Sequence, residues 1–151
     1  MIGRCGWNEL DTIGRHLLVE YRGCNFDALN DVQRVQALME SAALAAKATI
    51  ITSVFTPFDP QGVSGVVVVS ESHLSIHTWP EQGYAAVDFY TCGCSDPHAA
   101  HQVLKDGLEA DSYEMLEVER GLNTDPRGTQ CMMLLSTRFR PGIAEALAPR
   151  N

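Results

Sequence analysis

Between Ala48 and Thr91 the chain offers four consecutive runs of strand-forming residues, joined by segments too short to hold a helix. Ala48 to Thr56 is rich in β-branched residues, and Pro57, Pro60 and Gly62 force a loop after it. Val63 to Ser70, with four valines in a row, makes the next strand, and His73 to Trp79 follows almost at once. Pro80 and Gly83 close that strand, and Tyr84 to Thr91 alternates well enough to bury one face. A parallel neighbour needs a crossover of a dozen or more residues, which none of these joints supplies. The four strands therefore fit an antiparallel sheet and exclude a doubly wound parallel one.

The flanking segments complete the plan. Arg15 to Tyr21 reads as an earlier strand, ended by Gly23. Leu29, Val32, Val35, Leu38, Met39, Ala42 and Ala46 then recur at helical spacing, predicting an amphipathic helix capped among Asp27, Asn30 and Asp31. Its alanine-rich end, Ala42 to Ala46, allows a close approach to a sheet. Pro97 opens a second helix with Ala100, Val103, Leu104 and Leu108 as its apolar stripe. Tyr113 to Glu119 and Cys131 to Phe139 read as two more strands, and Pro141 to Asn151 as a short helix or tail. The order β-α-β-β-β-β-α-β-β predicts an α+β fold: a two-layer α/β sandwich, with an antiparallel sheet and two main helices on one face. The sheet's other face must then be covered by water-tolerant residues or by a partner subunit. At 151 residues, with no repeat or linker, the chain is expected to form one domain, 1–151.

Composition narrows the function classes. A net charge of −8 gives no surface for tracking phosphates, so nucleic acid is not an expected partner. No stretch has the length and apolarity of a membrane span, and the first residues lack the apolar core of a signal peptide. Cys5, Cys24, Cys92, Cys94 and Cys131 are odd in number and unevenly spaced. Together these features predict reduced thiols and a cytoplasmic protein.

Several motifs compete for a chemical reading. Gly62-Val63-Ser64-Gly65 fails the Gly-x-Ser-x-Gly pattern because position 66 is valine, and it leads into a strand rather than a helix. His73, His77, Cys92 and Cys94 match no common zinc spacing, and His98 with His101 is the pattern of a solvated helix start. No metal is expected. Ser72 followed by His77 allows a base-activated nucleophile, although a satisfied core histidine is the blander reading. The density of Ser64, Ser72, His77 and Cys92 on adjoining strands, beside Trp79 and Glu81, favours chemistry.

The run Gly62-Val63-Ser64-Gly65-Val66-Val67-Val68-Val69-Ser70-Glu71-Ser72-His73-Leu74-Ser75-Ile76-His77-Thr78-Trp79-Pro80-Glu81 resembles the small prokaryotic S-adenosylmethionine decarboxylase proenzymes. Gly83 to Asp88, Thr91-Cys92-Gly93, Gly14-Arg15-His16-Leu17, Ala48-Thr49-Ile50 and Glu119-Arg120-Gly121 extend the likeness over roughly residues 13 to 121. Two stretches depart from it: Cys94-Ser95-Asp96-Pro97-His98, shorter and without a tryptophan, and everything after Gly121.

The resemblance implies a self-cleaving, pyruvoyl-dependent carboxy-lyase. The scissile bond would be Glu71–Ser72, yielding a β chain of residues 1–71 and an α chain of residues 72–151. Ser72 would become the pyruvoyl group and form the Schiff base with substrate, with no metal or pyridoxal phosphate. Ser64 matches the residue that steadies the oxyanion during processing, His77 the processing base, and Cys92 the proton donor in decarboxylation. Phe58 and Trp79 match an aromatic pair around the adenine, and Glu81 the acid on the ribose. The expected substrate is S-adenosylmethionine, the product serving spermidine synthesis, and the expected assembly a homodimer of αβ units with sheets packed face to face. Related pyruvoyl enzymes take arginine or ornithine, which stays open, as does a silent regulatory subunit that the intact motif disfavours.

Overall fold

Asp31 divides the predicted first helix in two. With φ −90° and ψ 107° it leaves helical geometry, and its side chain accepts hydrogen bonds from the Gln33 and Arg34 amides. The helix thus becomes α1 (Phe26–Asn30), capped by Asn25, and α2 (Val32–Ala45). The structure, a computed structural model, describes residues 12–125 and 128–136, with side chains as far as residue 122. Its strands are β1 (Gly14–Arg22), β2 (Thr49–Pro57), β3 (Val63–Ser70), β4 (Ser72–Trp79), β5 (Tyr84–Cys92), β6 (Ser112–Asp125) and β7 (Gly128–Ser136). A 3-10 turn, Pro80–Gln82, joins β4 to β5, and α3 (Pro97–Gly107) joins β5 to β6.

All seven strands form one sheet in the order β2-β3-β4-β5-β1-β6-β7, every pair antiparallel. The α+β class and antiparallel sheet predicted from the sequence are therefore found. The sixth strand is longer than predicted, and the segment from Pro141 onward lies outside the described residues. No described helix is long and apolar enough to cross a membrane.

One face of the sheet carries the core. Leu17, Val19, Tyr21, Val67, Val69, Leu74, Ile76 and Phe89 from the strands meet Leu29, Val35, Met39, Ala42, Ala43 and Ala46 from α1 and α2, and Ala100, Leu104 and Leu108 from α3. Burying each large aliphatic side chain contributes about 1.5–3 kcal/mol, so this layer fixes which residues of each strand point away from it. Close packing also explains two glycines: a Cβ on Gly65 would lie 1.9 Å from the Phe55 ring, and one on Gly107 2.2 Å from Leu38. The residues between the core positions line the opposite face, where no described helix packs.

Candidate active site

Alternation on β4 and β5 selects the side chains of that second face. Leu74, Ile76 and Thr78 are buried on β4, so His73, Ser75, His77 and Trp79 project the other way. Thr78 locks this register: its hydroxyl donates to the Leu29 carbonyl at 2.8 Å and accepts from the Val63 amide at 2.8 Å. On β5, Ala85, Val87, Phe89 and Thr91 are buried, which turns Asp88, Tyr90 and Cys92 to the same side as His73 and His77.

At one end of this face lies the Glu71–Ser72 junction. Glu71 is the exposed turn between β3 and β4, and Ser72 begins β4 with φ of 97°. A non-glycine residue at such a φ stores roughly 1–3 kcal/mol of backbone strain. Ser72 stands opposite Thr91 in the ladder, with Cys92, a free thiol, next along. Gly14 faces Cys92 from β1 and leaves it room: a Cβ there would come within 2.9 Å of the sulfur and 2.8 Å of the Tyr90 ring.

Below them sits a polar cluster that motif reading did not single out. Asp88 accepts hydrogen bonds from His16 Nε2 at 2.7 Å, His73 Nε2 at 3.0 Å and the Ser75 hydroxyl. Burial alone would raise its pKa, but the bonds from His16, Ser75 and His73 outweigh it and hold the carboxyl down at about 2. The donor atoms of His16, His73 and Asp88 lie within 4.8 Å of one another, close enough for metal ligation. Arg120 argues otherwise. Its guanidinium donates to His16 Nδ1 at 3.2 Å, so Nε2 keeps the proton that it gives to Asp88. A metal-bound histidine has the opposite polarity, donating from its second nitrogen. The set is an anchored carboxylate, and the signal that could have found it was the shared parity of Asp88, Tyr90 and Cys92.

The other end of the face holds a different set. Ser64 and His77, paired in the ladder, share a hydrogen bond of 2.7 Å between Oγ and Nδ1, leaving Nε2 for chemistry. Trp79 is 42% exposed and stacks on Tyr84 at 5.1 Å, another residue sequence reading missed. Tyr84 donates to Glu20, and burial with that carboxylate raises its pKa to about 12. Phe58, 55% exposed, opens a loop closed by its amide on the Gly62 carbonyl at 2.8 Å. Asn30 accepts from the Gly62 amide at 2.9 Å, and Gln61 donates to Glu81 at 2.9 Å, tying the Phe58 loop to the Glu81 turn.

The structure thus splits the residues expected to act together. Ser72 and His77 are five positions apart on one extended strand, or about 17 Å. Ser72 and Cys92 lie towards one end of the β4–β5 ladder; Ser64, His77, Phe58, Trp79 and Glu81 lie towards the other. His98 and His101 diverge as well: His98 meets Glu117 at 3.3 Å, while His101 is buried against the Tyr21 hydroxyl at 2.8 Å. Cys24 and Cys92 are free, as expected of reduced thiols, but Cys94 is disulfide-bonded, which corrects that expectation for this residue.

Comparison with known proteins brings a consistent result. The S-adenosylmethionine decarboxylase family matches residues 15–121. The S-adenosylmethionine decarboxylase proenzyme of Syntrophomonas wolfei is 51% identical over 118 residues, covering 78% of this chain and 94% of that protein. That of Pelotomaculum thermopropionicum is 52% identical over 111 residues, covering 73% and 88%. Among solved structures, the adenosylmethionine decarboxylase from Aquifex aeolicus VF5 superposes with a TM-score of 0.69 at 36% identity, covering 80% of this chain and 99% of that one. With so much of its length matched, the chain belongs to the S-adenosylmethionine decarboxylase family.

Proposed function

We propose that the chain is a self-processing decarboxylase of S-adenosylmethionine, working through a pyruvoyl group made from its own Ser72 and yielding the aminopropyl donor for spermidine synthesis. The observation that carries this reading is Ser72, strained at φ 97° behind an exposed Glu71, at the end of the face where the free thiol of Cys92 lies. Ser72 Oγ attacks the Glu71 carbonyl, turning the amide into an ester and relieving the strained backbone. Ser64 supplies a hydrogen bond to the oxyanion of that step. His77 removes the Ser72 Cα proton, and elimination parts residues 1–71 from residues 72–151.

The surroundings suit such a group: Cys92 follows Thr91, the ladder partner of Ser72, and Gly14 keeps space around that thiol. Once formed, the group supplies a ketone that condenses with the substrate amine and takes up the electron pair left as CO₂ departs. Cys92 then delivers a proton to the substrate carbon. Phe58 and Trp79 offer exposed aromatic surface for an adenine and a sulfonium, and Glu81 a carboxylate for ribose hydroxyls. Among the described residues, Phe58, Trp79 and Glu81 favour S-adenosylmethionine over arginine or ornithine.

The separation along β4 bears on assembly. A His77 about 17 Å from its own Ser72 cannot touch it. Two copies packed face to face about a two-fold axis running across the strands set each Ser72 end over the partner's His77 end. Both halves of each site then meet, and the uncovered face is closed. Co-expression tests this. Ser72→Ala and His77→Ala chains are each expected to stay uncut alone, while together the His77→Ala chain is cut by its partner's base. No cleavage in the mixture would overturn the shared site. CO₂ release from S-adenosylmethionine, arginine and ornithine in parallel tests the substrate; greater release from either amino acid would overturn that assignment.

A further inference from the structure

Tyr90 has no part in the chemistry described so far, yet its ring has neighbours from three other strands on the open face. It lies two residues before Cys92 on the same side of β5, and the thiol donates to its hydroxyl at 3.8 Å, a reachable length for sulfur. The Arg120 guanidinium sits 4.6 Å from the ring centre. The His16 ring lies 5.3 Å away and the His73 ring 6.3 Å, one from each neighbouring strand. Gly14 completes the enclosure, because a Cβ there would strike both the Tyr90 ring and the Cys92 sulfur. Ring and thiol share one recess, and four elements shape it.

We infer that Tyr90 is the positioning residue for the Cys92 acid, accepting the thiol hydrogen bond at rest and donating its own to the sulfur once the proton has left. The inference rests on the decarboxylase reading above. The Cys92 proton passes to the substrate carbon, the S–H electron pair stays on sulfur as thiolate, and the phenol keeps its O–H throughout. A hydrogen bond to a charged sulfur is stronger than one from a neutral thiol, so the exchange favours proton delivery. The phenol is suited to keep its proton: burial first, then the Cys92 hydrogen bond and charge, raise its pKa above the ordinary value against the pull of Arg120. Among the described residues, the titratable or charged groups facing Tyr90 are His16 from β1, His73 from β4, Arg120 from β6, and Asp88 and Cys92 from its own strand.

The test uses Ser72→Ala proenzyme, which makes no pyruvoyl group. The pH dependence of Cys92 alkylation by iodoacetamide is followed by peptide mass spectrometry, with and without Tyr90→Phe. Loss of the hydroxyl should move the midpoint up by about one pH unit, some tenfold slower alkylation at a fixed pH below it. The ring remains, so the unfolding midpoint should hold; in processed enzyme, kcat should fall with KM unchanged. An unmoved or lowered alkylation midpoint overturns the role of Tyr90. Because alkylation needs neither substrate nor cleavage, that failure would leave the decarboxylase reading standing, and a failure of CO₂ release would leave this titration standing.

Discussion

The two ends of the open face share β4 and β5 but differ in how they are built. At the Ser72 end the backbone is strained, the groups are half-buried, and a carboxylate and an arginine hold histidines and a tyrosine in fixed polarity. At the His77 end His77 and Trp79 are exposed, Phe58 stands on a loop, and one short bond orients the imidazole ring. Under the proposed function the first end makes and guards a reactive group, and the second delivers a base and receives a ligand. The difference teaches that neither end alone gathers all the groups of the proposed site. In the proposed dimer, superposing unlike ends of two copies brings them together.

Perturbing each end in turn should break or sharpen that contrast. The largest effect belongs to Ser72→Ala, which should leave a single uncut chain on a denaturing gel; two bands would place the scissile bond elsewhere. His77→Ala should also stay uncut, but hydroxylamine should release fragments from the stalled ester, and a lack of release would remove His77 from the elimination. Cys92→Ala should process normally and lose about 10²–10⁴-fold in kcat, the range of a lost general acid. Glu81→Gln, at the far end, should process normally and raise KM about tenfold through a weakened hydrogen bond to substrate. Equal losses in kcat for Cys92→Ala and Glu81→Gln would erase the division of labour.

The smallest effects concern acid stability and separate the two faces of the sheet. His101, on the helix side, has its pKa lowered to about 4, first by burial and then by His98 and Lys105. The unfolded chain binds that proton near 6.5, so stability should fall as pH drops from about 6.5 to about 4, by on the order of 2–3 kcal/mol. Asp88, on the open face, is held at about 2, so its contribution should persist down to about pH 4 and vanish towards pH 2. Urea unfolding against pH should therefore show two windows, the first flattened by His101→Gln and the second by Asp88→Asn.

Much of this was legible in the chain. Val63–Ser70 has the predicted bounds, because four valines between glycine and a polar turn admit no other element. Asp31 was among the named caps, but propensity could not say that it would break the helix rather than begin it. From sequence the motif around Ser72 and His77 reads as a single cluster, since spacing along a strand does not announce distance until the ladder is known. Tyr90, Tyr84 and Gly14 were missed for another reason. Their roles come from cross-strand neighbours, and only parity with Cys92 and Trp79 hinted at them.

The place of β1 in the sheet has a mechanical consequence. It belongs to the segment before the proposed cut, yet it is threaded between β5 and β6 of the segment after it. The cut product is therefore two interwoven pieces, locked by the β3–β4 ladder and by both edges of β1. Folding has to precede cutting, because a separate β1 would have to find a slot already closed by its neighbours. Once denatured, the mature enzyme must reassemble from two molecules, so its recovery should slow on dilution while that of the uncut Ser72→Ala chain, up to the step of dimer formation, should not.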